Sequence, residues 1–180
     1  MIFPETTTVT TSYTTYDSPL GELLLVGEES ATAAGGTALT ALALALPQQR
    51  GVTVQPHWRR DPAPFGEVVR QLSAYFAGKL TRFELEFRTN GSEFQERVWQ
   101  ALEAIPYGTT TSYGRLADVL GVARSEVRAL GAAIGANPLL IVRPCHRVIG
   151  ADGTMRGYAA GVEAKIALLT HEGALQPTLI

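Results

Sequence analysis

The 180-residue sequence predicts an α+β fold, a strand-rich first half followed by a mostly helical second half. Three observations predict it. Before Pro47 the apolar residues run together or alternate, as they do in strands. From Phe65 onward they recur at the helical period. After Gly91, helix starts at Ser92, Ser112 and Ser125 are followed by stops at Gly108, Gly121 and Asn137-Pro138, and Gly173 stops a last helix. A hydrophobic share of 46% and a charged share of 18% fit a globular chain able to bury a core. No stretch approaches the roughly 18 uncharged apolar residues of a membrane span.

Taken in order, residues 9–27 read as extended chain, with Asp17-Ser18-Pro19-Leu20-Gly21 as a turn and Leu23-Leu24-Leu25-Val26 as a short buried strand. Ala38 to Leu46 carries leucines at 39, 42, 44 and 46, the last three alternating with alanine, and Pro47 ends this strand because it has no N–H to donate. Val52 to Val54 suits another short strand, within a surface connection from Gln48 to Pro64. Phe65, Val68, Val69, Leu72 and Phe76 then form one helix face, with Gly78 at its C-terminal end. Phe83, Leu85 and Phe87 alternate with charged residues, so Leu80 to Phe87 reads as a strand or an extended linker. The polar turn Arg88-Thr89-Asn90-Gly91 places a domain boundary there, giving domains 1–87 and 88–180.

In the second half Ser92-Glu93-Phe94-Gln95 is a capping box. The helix it opens aligns Phe94, Val98, Leu102 and Ile105 and stops at Pro106-Tyr107-Gly108. Ser112 caps a short helix with Leu116 and Leu120, and Ser125 caps another, Glu126 to Ala136, closed by Asn137-Pro138. Two short helices around a glycine turn have helix-turn-helix spacing, which ordinary bundles share. On the second of them Arg128, Ala132 and Gly135 lie on one face with Gly131 and Ala136 alongside, one long cation above a nearly bare surface. Such a face suits close helix–helix packing first, with close approach to a nucleic-acid groove as the alternative. The last helix, Val162 to Glu172, turns Val162, Ile166 and Leu169 inward and stops at Gly173.

The formal net charge of −2 conceals an asymmetry: residues 1–96 carry −4 and residues 97–165 carry +3. The basic excess surrounds the single cysteine, Cys145, in the run Ile141-Val142-Arg143-Pro144-Cys145-His146-Arg147-Val148-Ile149-Gly150. One thiol allows no internal disulfide. The N-terminus lacks the basic and apolar regions of a secretory signal, so a reducing cytoplasm is the expected compartment. Two readings of Cys145 stand side by side. It is a small core residue, or it is a nucleophile whose thiolate is favoured by Arg143, His146 and Arg147. Pro144 bends the apolar strand just before the thiol, which suits a side chain aimed into a pocket.

Together these residues resemble the O6-alkylguanine-DNA alkyltransferases, the methylated-DNA–protein-cysteine methyltransferases. The likeness rests on Pro144-Cys145-His146-Arg147-Val148 and on Phe94-Gln95-Glu96-Arg97-Val98-Trp99, Ile105-Pro106-Tyr107-Gly108, Ser112-Tyr113, Arg128-Ala129, Asn137-Pro138, Gly157-Tyr158 and Thr170-His171-Glu172-Gly173. It covers about residues 80–173 in order, with a looser match at Ser18-Pro19-Leu20-Gly21. The resemblance implies a small antiparallel N-terminal sheet domain with a helix, then a helical domain with a winged helix-turn-helix-like DNA-binding motif.

It also implies single-turnover repair, in which the alkyl group of O6-alkylguanine, and of O4-alkylthymine as a further substrate, passes from duplex DNA to Cys145 after base flipping. In that scheme Cys145 accepts the alkyl group, His146 acts as its base through a water, and Glu172 orients the imidazole. Asn137 holds the turn before the active site, and Tyr113 contacts the guanine and its phosphate. Arg128 takes the place of the flipped base. Its face of Ala129, Gly131, Ala132 and Gly135 lies in the minor groove. Pro144, Val148, Tyr158 and Ala159 line the base pocket. The implied protein is a monomer needing no cofactor and no metal. The zinc site of some relatives has no counterpart, because there is no second cysteine, and His57 and His171 read as surface residues.

Two departures stand out: Ala159-Ala160 replaces the usual Ser and Gly, and Arg143 occupies a commonly apolar position. Other function classes fit less well. An alkyltransferase-like lesion binder would lack Cys145. A Cys–His hydrolase would need its base elsewhere, and a transcription regulator would show more polar residues on helix 126–136 than Arg128 alone.

Overall fold

The turn at Ser18 starts the fold. Its hydroxyl donates to Gly21 O (2.7 Å) and accepts from Leu20 N (3.1 Å), and Gly21 supplies the positive φ the turn requires. The computed structural model describes residues 8–45, 52–155 and 157–175. In it this turn joins strands β1 (Thr11–Ser18) and β2 (Gly21–Glu29) into a hairpin. Strand β3 (Thr37–Leu44) pairs antiparallel with β2. The pairing slips at Val26/Gly27, where a Cβ on Gly27 would stand 2.6 Å from Thr37 Cγ2, so only glycine fits this bulge. Sheet order is β3-β2-β1-β4, with β4 (Arg59–Arg60) parallel to β1.

The four consecutive buried residues Leu23 to Val26 show that β2 is covered on both faces. Leu23 and Leu25 join the main core with Phe65, Val68, Leu72 and Tyr75. Leu24, Val26 and Ala41 form a second cluster under Tyr13, Val52 and Trp58. Val52 to Val54 is therefore not the strand its composition predicts, since Val52 caps the outer face by packing. The short strand falls instead on Arg59–Arg60, two exposed residues with no apolar signal. Leu46 and Pro47, expected to end β3, lie outside the described residues.

Helix α1 (Gly66–Phe76) follows a single 3-10 turn and ends at Gly78, as its apolar face predicts. Leu80 to Phe87 is extended but joins the sheet only at Phe87, through Leu39 N to Glu86 O (2.9 Å) and Arg88 N to Leu39 O (2.8 Å). The Gln71 side chain pairs with both backbone groups of Glu84, at 2.8 and 3.0 Å, in place of a partner strand.

Helix α2 (Glu93–Glu103) has the predicted capping box, with Ser92 and Gln95 satisfying each other's backbone N–H. Helix α3 (Tyr113–Leu120) is capped by Ser112 and ended by Gly121 in the left-handed conformation. Helix α4 (Val127–Gly135) departs from expectation. Ser125 does not cap it, because Arg124–Glu126 forms a 3-10 turn that feeds straight into the helix. Helices α3 and α4 form the helix-turn-helix. The short parallel pair of β5 (Thr111–Ser112) and β6 (Val148–Ile149) lies beside it.

Helix α5 (Val162–His171) corrects a second expectation. Val162 and Ile166 are each 41% exposed; Leu169 faces inward as expected, and Lys165 and Leu168 join it there. Lys165 tolerates burial because its Nζ donates to Val148 O at 2.6 Å. The apolar residues of both halves merge into one core, so α2, α4 and α5 pack with α1 and the sheet. Among the described residues no helix is long and apolar enough to cross a membrane.

Candidate active site

The path from α4 to the thiol is built from turns. Asn137, buried at the end of α4, donates through Nδ2 to Leu139 O (3.2 Å) and Arg143 O (3.0 Å), and its Oδ1 accepts from Leu139 N (3.0 Å). Leu139 touches the sheet at one bridge to Leu42. Ile141 then adopts φ 70°, a left-handed conformation rare for a β-branched residue. Cys145 to Arg147 makes a single 3-10 turn, with Cys145 N donating to Arg143 O at 2.8 Å. The apolar strand expected before Cys145 is thus absent. Short, tightly bonded turns replace it, and the alternation of strand side chains does not separate His146 from Cys145.

Behind this turn lies a buried polar cluster. His146 is fully buried and its Nε2 lies 2.8 Å from Glu172 Oε2. Arg147 donates to both Glu172 oxygens, at 2.7 and 3.0 Å, and to Ile105 O at 2.6 Å. Tyr75, from α1, donates its hydroxyl to Glu172 Oε2 at 2.6 Å. Burial pushes the Glu172 carboxyl up, but its bonds from His146, Arg147 and Tyr75 outweigh this and hold it at about 2. Burial pushes His146 down, so the ring is neutral at neutral pH despite the adjacent carboxylate. A neutral ring that donates from Nε2 to Glu172 leaves Nδ1 as an acceptor, and Nδ1 has no hydrogen-bond partner among the described residues. The buried Tyr158 hydroxyl likewise has none, and its ring stands edge-on to His146, with centroids 6.4 Å apart.

The thiol is 6% exposed. Burial pushes its pKa up, opposed by its hydrogen bond to Asn137 and by the charges of Lys165 and Arg143. Of the two readings the sequence leaves open, burial favours the protonated thiol over a thiolate drawn out by neighbouring cations. His146 is uncharged, and the Arg147 charge is engaged by Glu172.

Arg128, Ala129, Ala132 and Gly135 are exposed, and Gly131 is half-buried. A Cβ added at Gly131 or Gly135 would meet nothing within 4 Å. Close helix packing therefore does not explain the bare face. Helix α4 packs through Leu130, Ala133 and Ile134 on its other side, where Trp99 Nε1 donates to Ala133 O at 2.8 Å. Tyr113 is the first residue of α3 and half-buried. Of the expected pocket residues, Pro144, Val148 and Tyr158 are buried and Ala159 is exposed. His57 is exposed, and His171 is half-buried. It packs on Tyr75 and Phe76, and its Nε2 lies 2.7 Å from Tyr75 O.

Sequence reasoning missed Tyr75 and Lys165 as parts of this site, and read Arg147 only as a cation near the thiol rather than as the partner of Glu172. Arg147 stands in the motif run, but its partner is 25 residues away, and Tyr75 is 97 residues from Glu172. An arginine beside the cysteine was the one available signal. Among the described residues no group of three or more His, Cys, Asp or Glu side chains could hold a metal.

The sequence model of the 6-O-methylguanine DNA methyltransferase DNA-binding domain matches residues 93–174, and that of the ribonuclease-like domain of the same proteins matches residues 11–89. The methylated-DNA–protein-cysteine methyltransferase of Mycobacterium bovis is 47% identical over 165 residues, 92% of this chain and 94% of its own. That of Methanosarcina acetivorans is 40% identical over 90% of this chain and 98% of its own. The crystal structure of Mycobacterium tuberculosis O6-methylguanine methyltransferase superposes with a TM-score of 0.78 at 46% identity, covering 93% of this chain and 96% of that one. A structure of M. tuberculosis OGT in complex with DNA also gives 0.78 at 46% identity, covering 89% and 92%. The chain belongs to the 6-O-methylguanine DNA methyltransferase family.

Proposed function

We propose that this protein repairs DNA by moving the alkyl group of O6-alkylguanine onto Cys145, once per molecule. One observation carries the reading. The single cysteine adjoins a buried neutral imidazole, one of whose ring nitrogens is held by a carboxylate while the other has no hydrogen-bond partner among the described residues. A water between His146 Nδ1 and the thiol would relay the thiol proton to the ring, within ordinary general-base geometry. Glu172 fixes the tautomer and stabilises the imidazolium. The S–C bond then forms as the C–O6 bond breaks, and the electron pair of that bond stays on guanine. Guanine takes up a proton from Tyr113, which is made good from His146 through solvent. The thioether has no hydrolytic exit, so turnover stops.

Base flipping brings the alkyl carbon to the thiol, and Arg128 fills the stack it leaves. The bare face of Ala129, Gly131, Ala132 and Gly135 permits α4 to sit in the narrow minor groove. Asn137 anchors α4 to the active-site turn, so groove contact and thiol position are linked. Pro144, Val148, Tyr158 and Ala159 form the base pocket. The protein acts as a monomer in the cytoplasm, with its two domains dividing at residues 87 and 88. Binding without transfer, the alkyltransferase-like behaviour, has nothing to recommend it while Cys145 is present.

The test is Cys145→Ser, whose hydroxyl is a far weaker nucleophile than a thiolate. It should bind O6-methylguanine duplex with near wild-type affinity and accept no methyl group. Methyl transfer to the variant would overturn the assignment.

A further inference from the structure

Tyr75 carries a hydroxyl in a place where phenylalanine would supply the same packing. It is fully buried on α1, with its ring against Phe83, Tyr107 and His171 at centroid distances of 5.3, 6.2 and 5.0 Å. Two adjacent residues at the end of α5 hold it. His171 Nε2 lies 2.7 Å from Tyr75 O, and Glu172 Oε2 accepts from the Tyr75 hydroxyl at 2.6 Å. That same Oε2 is the atom His146 Nε2 meets at 2.8 Å, and Arg147 Nη2 reaches it at 3.0 Å. Three donors thus share one carboxylate oxygen. One of them comes from the first half of the chain, 97 residues from the carboxylate.

We propose that Tyr75 is a positioning residue for alkyl transfer: its hydroxyl holds Glu172 Oε2 against His146 Nε2 and takes up part of the negative charge the imidazole would otherwise feel. The ring has two needs that conflict. It must be neutral to receive the thiol proton, yet it must keep a carboxylate beside it to stabilise the imidazolium that results. Sharing Oε2 with Tyr75 meets both, since a hydrogen bond to a carboxylate favours its charged form and lessens its pull on other protons. The remaining groups around the ring act in known directions. Burial pushes His146 down, Glu172 pulls it up, and the charges of Arg147 and Lys165 oppose that pull. Tyr158 stands edge-on to the ring and is held protonated by burial, as is the Cys145 thiol. Tyr75 itself stays protonated, because burial and the charge of Glu172 both hold its phenol far above the usual range. It is therefore a fixed donor, and the removal of its hydroxyl leaves more of the Glu172 charge on His146.

This inference rests on Cys145 being the acceptor and His146 its base, and the experiment keeps the two ideas apart. The chain has three histidines, so full-length protein made with isotopically labelled histidine gives a readable ring titration by NMR. Tyr75→Phe keeps the ring and removes only the hydroxyl. It should raise the midpoint at which His146 Nδ1 gains a proton by about one pH unit. Transfer from free O6-benzylguanine should then be about tenfold slower at a fixed pH below the shifted midpoint and approach the wild-type rate above it. Tyr75→3-fluorotyrosine places a stronger donor in nearly the same space and should lower the midpoint. Opposite shifts support the proposal. An unmoved midpoint, or a lowered one in Tyr75→Phe, overturns it, because a purely structural bond to Glu172 would change stability and leave the ring's titration in place. Should Tyr75→Phe not fold, the fluorinated protein decides, and a midpoint that does not fall overturns the proposal. Failure of the wild-type Cys145 peptide to gain a benzyl group from free O6-benzylguanine would instead refute the acceptor assignment, and the titrations would still report on Tyr75.

Discussion

Replacing Glu172 by glutamine removes the charge from the most heavily bonded carboxylate among the described residues while keeping its shape. Glu172 accepts from His146, from Arg147 twice and from Tyr75, and it is 4% exposed. The amide would leave the Arg147 guanidinium buried without its counter-charge, which costs about 3–5 kcal/mol when one partner of such a pair is lost. A second route gives a similar figure. The carboxyl is held at about 2 in the folded protein against an ordinary value of 4.5. That difference is worth about 3 kcal/mol at neutral pH by linkage. Because the folded value is the lower one, this stability is fully present above about pH 4.5 and is lost as pH falls towards 2. Urea unfolding of wild type and Glu172→Gln should therefore differ by about 3 kcal/mol at pH 7. Melting temperature should fall by about 6–12 °C for a chain of this size. The gap between the two proteins should narrow below pH 4.5 as the wild-type carboxylate takes up its proton. Transfer from free O6-benzylguanine should also slow, since His146 loses the acceptor that sets its tautomer. A gap that is absent at pH 7, or that stays constant down to pH 2.5, would refute the role given to this carboxylate.

Three further outcomes follow from the geometry. Arg128→Ala should slow repair in duplex DNA strongly yet leave transfer from free O6-benzylguanine nearly unchanged, with stability within about 0.5 kcal/mol of wild type; parallel loss of both activities would defeat base replacement by Arg128. Gly131→Leu points into open space and adds helix propensity, so melting temperature should hold or rise while affinity for duplex falls at least about tenfold; unchanged affinity in a binding titration would remove α4 from the DNA interface. Asn137→Ala takes one acceptor and two donor contacts from buried backbone groups of the turn, and urea unfolding should show a loss of about 2–4 kcal/mol; a loss below about 1 kcal/mol would mean that Asn137 does not hold the turn.

Much of the fold was legible because local rules governed it. The Ser92 capping box, the Ser112 cap and the Gly121 stop are set by residues within a few positions of each other, and they appear where the sequence places them. Ser125 failed because a 3-10 turn competes for the same backbone groups. The face of α5 was misjudged for a different reason. Helical period marks which residues share a face, but a lysine such as Lys165 is read as outward unless its buried acceptor, Val148 O, is known. The candidate site divides in the same way. Cys145 and His146 were visible as a motif, whereas Tyr75 reaches Glu172 only through packing between the two halves of the chain. The two readings of the thiol stay open in the sequence because it counts cations, whereas burial with ion pairing decides which of them still act on Cys145. The two readings of α4 needed exposure to separate them, which periodicity does not supply.

The central claim is that Cys145 receives the alkyl group and keeps it. Intact protein incubated with an equimolar O6-methylguanine duplex, then digested and weighed by mass spectrometry, tests it directly. The expected result is a gain of one methylene unit on the Cys145 peptide alone, with one guanine restored per protein molecule. Restored guanine in excess of protein with an unmodified Cys145 peptide, or a methyl group on any other residue, would contradict it.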